Sequence, residues 1–270
     1  MITTTSLHLI DTHCHLDAGE FDVDRDAALQ RARDRGVNTI VVPSVHQASF
    51  ASTLAMRERY GCPIALGLHP VYERSHRPAH LSELAALIEA QRPHAVGEIG
   101  LDLFATGLNA QSQLEWLTAQ LKLASTFDLP VLLHVRKAQD QVLAQLRRFG
   151  IRRGIAHAFN GSPQQADAYI KQGLLLGFGG NLTYPRAQNI RRLAAALPLE
   201  SIVLETDAPD MPPEWARQQR NEPAYLERIA LQLAELRGES IETIAQVTTS
   251  NAANLLGLRP ARTPDTVNHA

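Results

Sequence analysis

This chain predicts an α/β fold, a (β/α)8 TIM-type barrel, on three observations. Short apolar, β-branched runs alternate with longer amphipathic segments, eight such runs occur, and a histidine or carboxylate follows most of them. Strands alternating with helices imply parallel pairing through right-handed crossovers. Eight strands close a barrel of roughly 250 residues, which a chain of 270 accommodates. A doubly wound open sheet is the competing arrangement. No linker-like composition divides the chain. It therefore reads as one domain over 1–258, with 259–270, carrying Pro260 and Pro264, as a loose tail.

The strands are read in order as Leu7–Asp11, Asn38–Val45, Pro63–Leu68, His94–Glu98, Pro130–Val135, Gly154–Ala158, Leu174–Phe178 and Ser201–Glu205. Between them lie helical patterns. In Ala110–Phe127, Leu114, Leu117, Leu121 and Ala124 recur at spacings of three and four. In Glu222–Arg237, Leu226, Ile229, Leu233 and Leu236 do the same. Ser82 fits the N-cap of a helix over Glu83–Ala90, and Gly150 and Gly173 fit helix ends.

Composition narrows the function. A net charge of −2 argues against a protein that coats nucleic acid non-specifically. Two cysteines, Cys14 and Cys62, make no disulfide framework and fit a reducing compartment. The N-terminus lacks a basic and apolar signal-like stretch, and no run is long enough to span a membrane. A cytoplasmic protein is expected.

In a parallel barrel the working groups gather at the carboxyl ends of the strands. Here the first strand ends in Asp11-Thr12-His13-Cys14-His15, the third in Gly67-Leu68-His69-Pro70 and the fourth in Gly97-Glu98-Ile99-Gly100-Leu101-Asp102. The fifth ends at His134-Val135-Arg136, the sixth at His157 and the eighth at Glu205-Thr206-Asp207. His13 and His15 share a face because strand side chains alternate. Cys14, between them, points the other way and reads as a buried small side chain.

Four imidazoles and two carboxylates exceed what one four-coordinate zinc needs. They suit two divalent ions sharing a bridge. A carboxylate can bridge and a neutral imidazole cannot, and Glu98, near the middle of the barrel order, is the natural bridge. His13, His15 and Asp207 with Glu98 are assigned to one ion, and His134 and His157 with Glu98 to the other. Such a pair holds a bridging hydroxide and clamps attacking and leaving oxygens. Asp207 is also placed to accept the water's proton. The nitrogen-rich set suits Zn, Mn, Ni or Co, and open positions admit Mg. Asp102, four residues past Glu98, reads as lying beyond the strand, behind the ligands or against substrate. His69 contacts substrate or caps its own loop. Arg136 and Arg186 are candidates for phosphate oxygens, and Lys137 reads as surface charge. The glycine-rich Gly177-Phe178-Gly179-Gly180 offers backbone N–H groups to an anion. Glu205 shares a face with Asp207 and reads as the partner of a histidine.

From Ile10 to Leu256 these motifs resemble the TatD family of metal-dependent hydrolases. The pieces are Asp11-Thr-His-Cys-His15, Gly67-Leu-His-Pro70, Gly97-Glu-Ile-Gly-Leu-Asp102, His134, His157-x-Phe-x-Gly161, Glu205-Thr-Asp-Ala-Pro209 and Asn221-x-Pro223. Leu101-Asp-Leu-Phe104, Thr183-Tyr-Pro-Arg-Ala187 and Ala208-Pro-Asp-Met-Pro212 look most like its YjjV subgroup. The resemblance implies a (β/α)8 barrel of amidohydrolase-like architecture, two divalent metals and phosphodiester hydrolysis, with ligands at His13, His15, Glu98, His134, His157 and Asp207. Family members act as deoxyribonucleases, some as 3′→5′ exonucleases on single strands, so DNA ends are the expected substrate. Two departures touch substrate choice: Asn160 stands where Ser is usual, and Leu103-Phe104 where many members carry two tyrosines. The alternative activity is a two-metal amidohydrolase or esterase, and a non-catalytic metal or nucleic-acid binder is the third reading.

Overall fold

A computed structural model describes residues 7–258. The expected tail, 259–270, lies outside the described residues. Nine ladder segments pair in parallel throughout. They are β1 (Leu9–Asp11), β2 (Val37–Ile40), β3 (Val42–Pro43), β4 (Ile64–Leu66), β5 (Ala95–Asp102), β6 (Val131–Arg136), β7 (Gly154–Ala156), β8 (Leu174–Phe178) and β9 (Ile202–Leu204). β2 pairs with β1 and β3 with β4, so the stretch around Val41 is one stave that changes partner midway. Val41 N–H donates to Asp11 O at 2.8 Å and Val42 N–H to Pro63 O at 2.9 Å. Thr12 N–H donates to Leu204 O at 3.0 Å, which joins the first stave to the last. Eight staves thus stand in chain order, as the alternation predicts.

The interior is apolar at one level and polar above it. Ile10, Val41, Ala65, Ala95, Leu132, Ile155 and Val203 give one buried side chain from each of seven staves, and Leu175 packs on them from the eighth. Ala252 and Leu256, from the last turns of the final helix, Ile241–Leu256, pack on the same layer. Each fully buried Leu, Ile or Val here contributes about 1.5–3 kcal/mol. A second, larger apolar cluster fills the space between staves and helices and contains Cys14, fully buried beside Leu9 and Leu16. The working residues lie beyond the inner layer, toward the strands' carboxyl ends.

Several boundaries differ from those predicted. β5 runs on to Asp102, so Asp102 shares a strand with Glu98. At a period of two, positions 98, 100 and 102 share one face. Gly100 permits this close fit, since a Cβ there would overlap His134 O. The helix predicted from Ser82 begins earlier, at Pro78, and runs to Gln91; Pro78 needs no N–H partner in the first turn, and Ser82 sits inside. The helix predicted from Glu222 begins at Leu226, after a 3-10 turn at Pro223–Tyr225. The helix over Ala110–Thr126 matches closely: Asn109 Oδ1 caps it by accepting from Gln111 N–H at 2.9 Å and Ser112 N–H at 3.1 Å. Gly173 closes its helix at φ +95°, and Gly150, at φ +67°, follows the end of another.

Candidate metal centre

Glu98 sits at the middle of the site, 2% exposed. Its Oε2 lies 3.1 Å from His13 Nε2 and 3.5 Å from His15 Nε2. Its Oε1 lies 2.9 Å from His157 Nε2, 3.2 Å from His134 Nδ1 and 3.1 Å from His69 Nε2. Asp207 Oδ1 stands beside the first pair, 3.7 Å from His13 Nε2 and 3.6 Å from His15 Nε2. Three sets of potential ligand atoms gather within 4.8 Å: His13, Glu98 and His157; His13, His15 and Asp207; His69, Glu98 and His134. His157 also stacks on His13, with ring centroids 4.1 Å apart, so it stands between the groups. No such set contains Cys14 among the described residues.

The donor set fits cations. Burial pushes His13 down to about 3 and His69 down to about 4, with neighbouring imidazoles adding to the effect at His13. Burial also opposes ionisation of Glu98, yet His69, His13 and His157 hold its carboxyl well below the usual range. The centre is therefore an anion ringed by imidazoles that cannot all protonate at these distances. A neutral imidazole nitrogen without a proton faces a carboxylate oxygen lone pair to lone pair. A divalent ion between them removes that repulsion and is the ligand such a set is built for.

Backbone hydrogen bonds fix the pieces. Asp11 accepts from His13 N–H at 3.2 Å, Thr206 N–H at 3.0 Å and Thr206 Oγ1–H at 2.5 Å. It thereby ties the end of β1, with its histidines, to the end of β9, with Asp207. Asn221 Nδ2 donates to Thr206 O at 2.8 Å and Asp210 O at 2.7 Å, which accounts for the Asn221-x-Pro223 motif. Burial raises the Asp207 carboxyl to about 6, against the pull of His157 and His15.

Asp102 stands behind His134. Its Oδ2 meets His134 Nε2 at 3.1 Å, and its Oδ1 accepts from Phe104 N–H at 2.9 Å and Ala105 N–H at 2.8 Å. Burial opposes this charge, but these donors prevail and hold the carboxyl well below its ordinary range. With its Nε2–H directed to Asp102, His134 presents a bare Nδ1 to the centre, the orientation a ligand requires. His69 is set the other way. Its Nδ1 accepts from Val71 N–H at 3.1 Å, so the ring proton sits on Nε2 and is donated to Glu98 Oε1. His69 therefore caps its own loop and steadies the carboxylate; the sequence reading missed the second contact.

Two buried glutamines of the Ala110–Thr126 helix also escaped the sequence reading. Gln120 Oε1 accepts from Leu68 N–H at 2.7 Å and its Nε2 donates to Leu68 O at 3.0 Å. Gln113 does the same for Asp102, at 2.8 and 3.0 Å. Seven residues apart, they share the apolar face and grip the ends of β4 and β5. Two glutamines recurring on a leucine stripe were the available signal.

The glycine-rich stretch has a different use from the one predicted. A Cβ at Gly177 would overlap the Glu205 carboxylate, and one at Gly179 would come within 2.9 Å of Glu205 O. These glycines make room for a buried carboxylate of the protein itself. Glu205 Oε1 accepts from Ala158 N–H at 2.5 Å and lies 3.7 Å from His157 Nδ1. The predicted arginines part company. Arg136, 54% exposed, lies 3.8 Å from Asp102 Oδ2 and 4.1 Å from the centroid of the Phe104 ring. Arg186 is exposed and lies over the Tyr184 ring at 5.6 Å, lining a separate cavity with Asn181, Met211 and Pro212.

The chain matches known proteins along nearly its whole length. The chain is 44% identical over 255 residues to an uncharacterized metal-dependent hydrolase, YjjV, of Escherichia coli, covering 92% of this chain and 98% of that one. It is 34% identical to human deoxyribonuclease TATDN3, covering 92% and 94%. It is 30% identical to the 3′-5′ ssDNA/RNA exonuclease TatD of Erwinia amylovora, covering 93% and 100%. The crystal structure of the Escherichia coli YjjV protein superposes with a TM-score of 0.90 at 43% identity, over 93% of this chain and 98% of that one. The pattern of the TatD-related DNases matches residues 10–257, and the chain belongs to that family.

Proposed function

We propose that this TatD-family hydrolase is a two-metal phosphodiesterase acting on nucleic-acid ends. The observation that carries the reading is the division of Glu98: Oε2 faces His13 and His15, while Oε1 faces His134 and His157. In this reading His13, His15 and Asp207 hold one ion with Glu98, and His134 and His157 hold the other. The nitrogen-rich set favours Zn, Mn, Ni or Co over Mg. Bound divalent ions supply an activated water and stabilise charge developing on phosphate. Asp207 would be placed to accept a proton from that water. Asp102 and His69 hold His134 and Glu98 in position. Arg136 meets phosphate oxygens at the mouth, with Arg186 as a more distant candidate. Two relatives named for nuclease activity support nucleic acid as the substrate class.

The catalytic unit is taken as one domain over 1–258. Two buried free cysteines support a reducing, cytoplasmic setting, and no helix among the described residues is long and apolar enough to cross a membrane.

The test is purified protein with Mg2+, Mn2+ or Zn2+ on 5′- and 3′-labelled single-stranded DNA, beside a phosphodiester, ester and amide panel. A ladder growing from one end is expected, and it disappears in His134→Ala and Glu98→Gln. Turnover of esters or amides alone would overturn the reading in favour of a carbonyl hydrolase.

A further inference from the structure

We propose that Phe104 and Arg136 clamp one unpaired nucleotide at the mouth of the site. The base stacks on the free face of the Phe104 ring and the adjoining phosphate meets the Arg136 guanidinium. The inference rests on the nucleic-acid reading above and adds to it which feature of the strand is gripped.

Three observations carry it. Phe104 is 56% exposed, and five large apolar side chains are exposed among the described residues: Val23, Val71, Tyr72, Phe104 and Leu231. Three of these five, Val71, Tyr72 and Phe104, stand in the loops that leave the carboxyl ends of β4 and β5, beside the centre. Apolar surface gathered at the mouth of a polar site marks a place where a ligand covers it. Second, the Arg136 guanidinium lies over the Phe104 ring at 4.1 Å and uses one face of it. The other face remains for a base. Among the described residues the guanidinium makes no hydrogen bond, and its nearest carboxylate contact is 3.8 Å from Asp102. Its N–H fork is therefore ready for phosphate oxygens. Third, the pair is fixed relative to the centre. Asp102 accepts the Phe104 and Ala105 N–H groups with one oxygen and meets His134 with the other.

The chemistry sets the selectivity. Every base has a π face, so stacking tolerates any sequence. A paired base inside a duplex has both faces covered by its neighbours and cannot occupy the ring. The clamp accordingly favours single strands and frayed ends over the interior of a duplex. It also gives Phe104, where many family members carry tyrosine, a role that needs only the ring.

The experiment uses the full chain in two arms. In EDTA, where nothing is cleaved, affinity for a labelled single-stranded oligonucleotide is compared with that for strands carrying an abasic residue at each of the terminal positions in turn. Phe104→Ala is expected to weaken the intact strand about tenfold, within the range of one base–aromatic stack, and to leave unchanged the binding of the strand whose abasic site falls on the ring. Phe104→Trp is expected to keep the affinity and to show tryptophan quenching by the intact strand only. With metal, Phe104→Ala raises KM for the intact strand and not for the strand whose abasic residue falls on the ring. If wild type cleaves strands but Phe104→Ala matches it in affinity and KM, or weakens intact and abasic strands equally, the clamp is wrong and the nuclease reading survives. If wild type neither binds nor cleaves nucleic acid, both fall together.

Discussion

Glu98, on the floor of the site, is 2% exposed and meets five imidazoles within 3.5 Å. Arg136, on the neighbouring stave, leaves about half its side chain in solvent and meets one ring and one distant carboxylate. The floor is fixed by contacts that each depend on others. Asp11 fastens two strand ends, two glutamines grip two more, and Asp102 and His69 orient a histidine and the carboxylate. The rim is held by one stacking contact, one distant carboxylate and the backbone N–H groups of the Phe104 loop. A change on the floor therefore leaves buried polar atoms without partners, whereas a change on the rim removes a contact and little else. The comparison teaches that chemistry and substrate choice are built to different tolerances.

The largest effect is expected at the floor's centre. Glu98→Gln keeps the shape but removes the charge shared by both halves of the site. Metal content measured by inductively coupled plasma mass spectrometry is expected to fall below two ions per chain. Phosphodiesterase kcat should fall about 10³-fold or more, at least the loss of one transition-state donor. Retention of both ions and of normal kcat would mean that Glu98 does not join the two sets.

Asp102→Asn comes next. It leaves the His134 ring in place but weakens the acceptor behind it. A loss of about 10- to 100-fold in metal affinity or activity is the usual scale for such a change. Because Asp102 also holds the Phe104 loop, KM for strands should rise as kcat falls. An effect on KM alone would make Asp102 part of the rim.

A smaller, graded effect is expected from pH. Burial raises Asp207 to about 6. In the metal-free protein its carboxyl is protonated below that pH, and an incoming ion must displace the proton. Through Asp207, metal affinity weakens as pH falls through about 6, by about tenfold per unit for each proton displaced. Burial opposes the charge of His134 and His157, but Asp102 and Glu98 at the first, and Glu98 and Glu205 at the second, raise both above the ordinary imidazole range, so their protons are displaced at higher pH than that of Asp207 and the slope begins above it. His13, held down at about 3, contributes nothing in that window. Titration calorimetry with Mn2+ over the interval reads the slope. Asp207→Asn should flatten it by one proton, and an unchanged slope in that variant would remove Asp207 from the ligand set.

The same division governs what the sequence made legible. His13, His15, Glu98, His134, His157 and Asp207 stand at the ends of apolar runs, and the residue types alone bring metal chemistry to mind. The eight staves were readable for the same reason, as apolar layers have a period. The supports were harder to read. Gln113 and Gln120 look like solvent-facing residues until the helix is rolled onto β4 and β5. The space that Gly177 leaves for Glu205 exists only once β8 and β9 lie side by side. The Asp102 error came from ending a strand where the barrel usually ends, although the buried face continues for two more pleats. Arg136 and Arg186 looked equivalent because an exposed arginine carries no sign of what it will touch.

Those two arginines supply the smallest expected effect and the sharpest test of the comparison. Arg136 ends β6 and Arg186 follows β8, and both lie over an aromatic ring, Arg136 over Phe104 and Arg186 over Tyr184. Only Arg136 approaches a residue of the floor, through Asp102. If linkage to the floor is what matters, Arg136→Ala should lower kcat/KM on single strands about tenfold and reduce the salt dependence of binding by about one phosphate contact. Arg186→Ala should change kcat/KM by less than about threefold, as loss of a screened surface charge does. Equal losses would show that the strand runs across both rims and that the cavity beside Tyr184 belongs to its path.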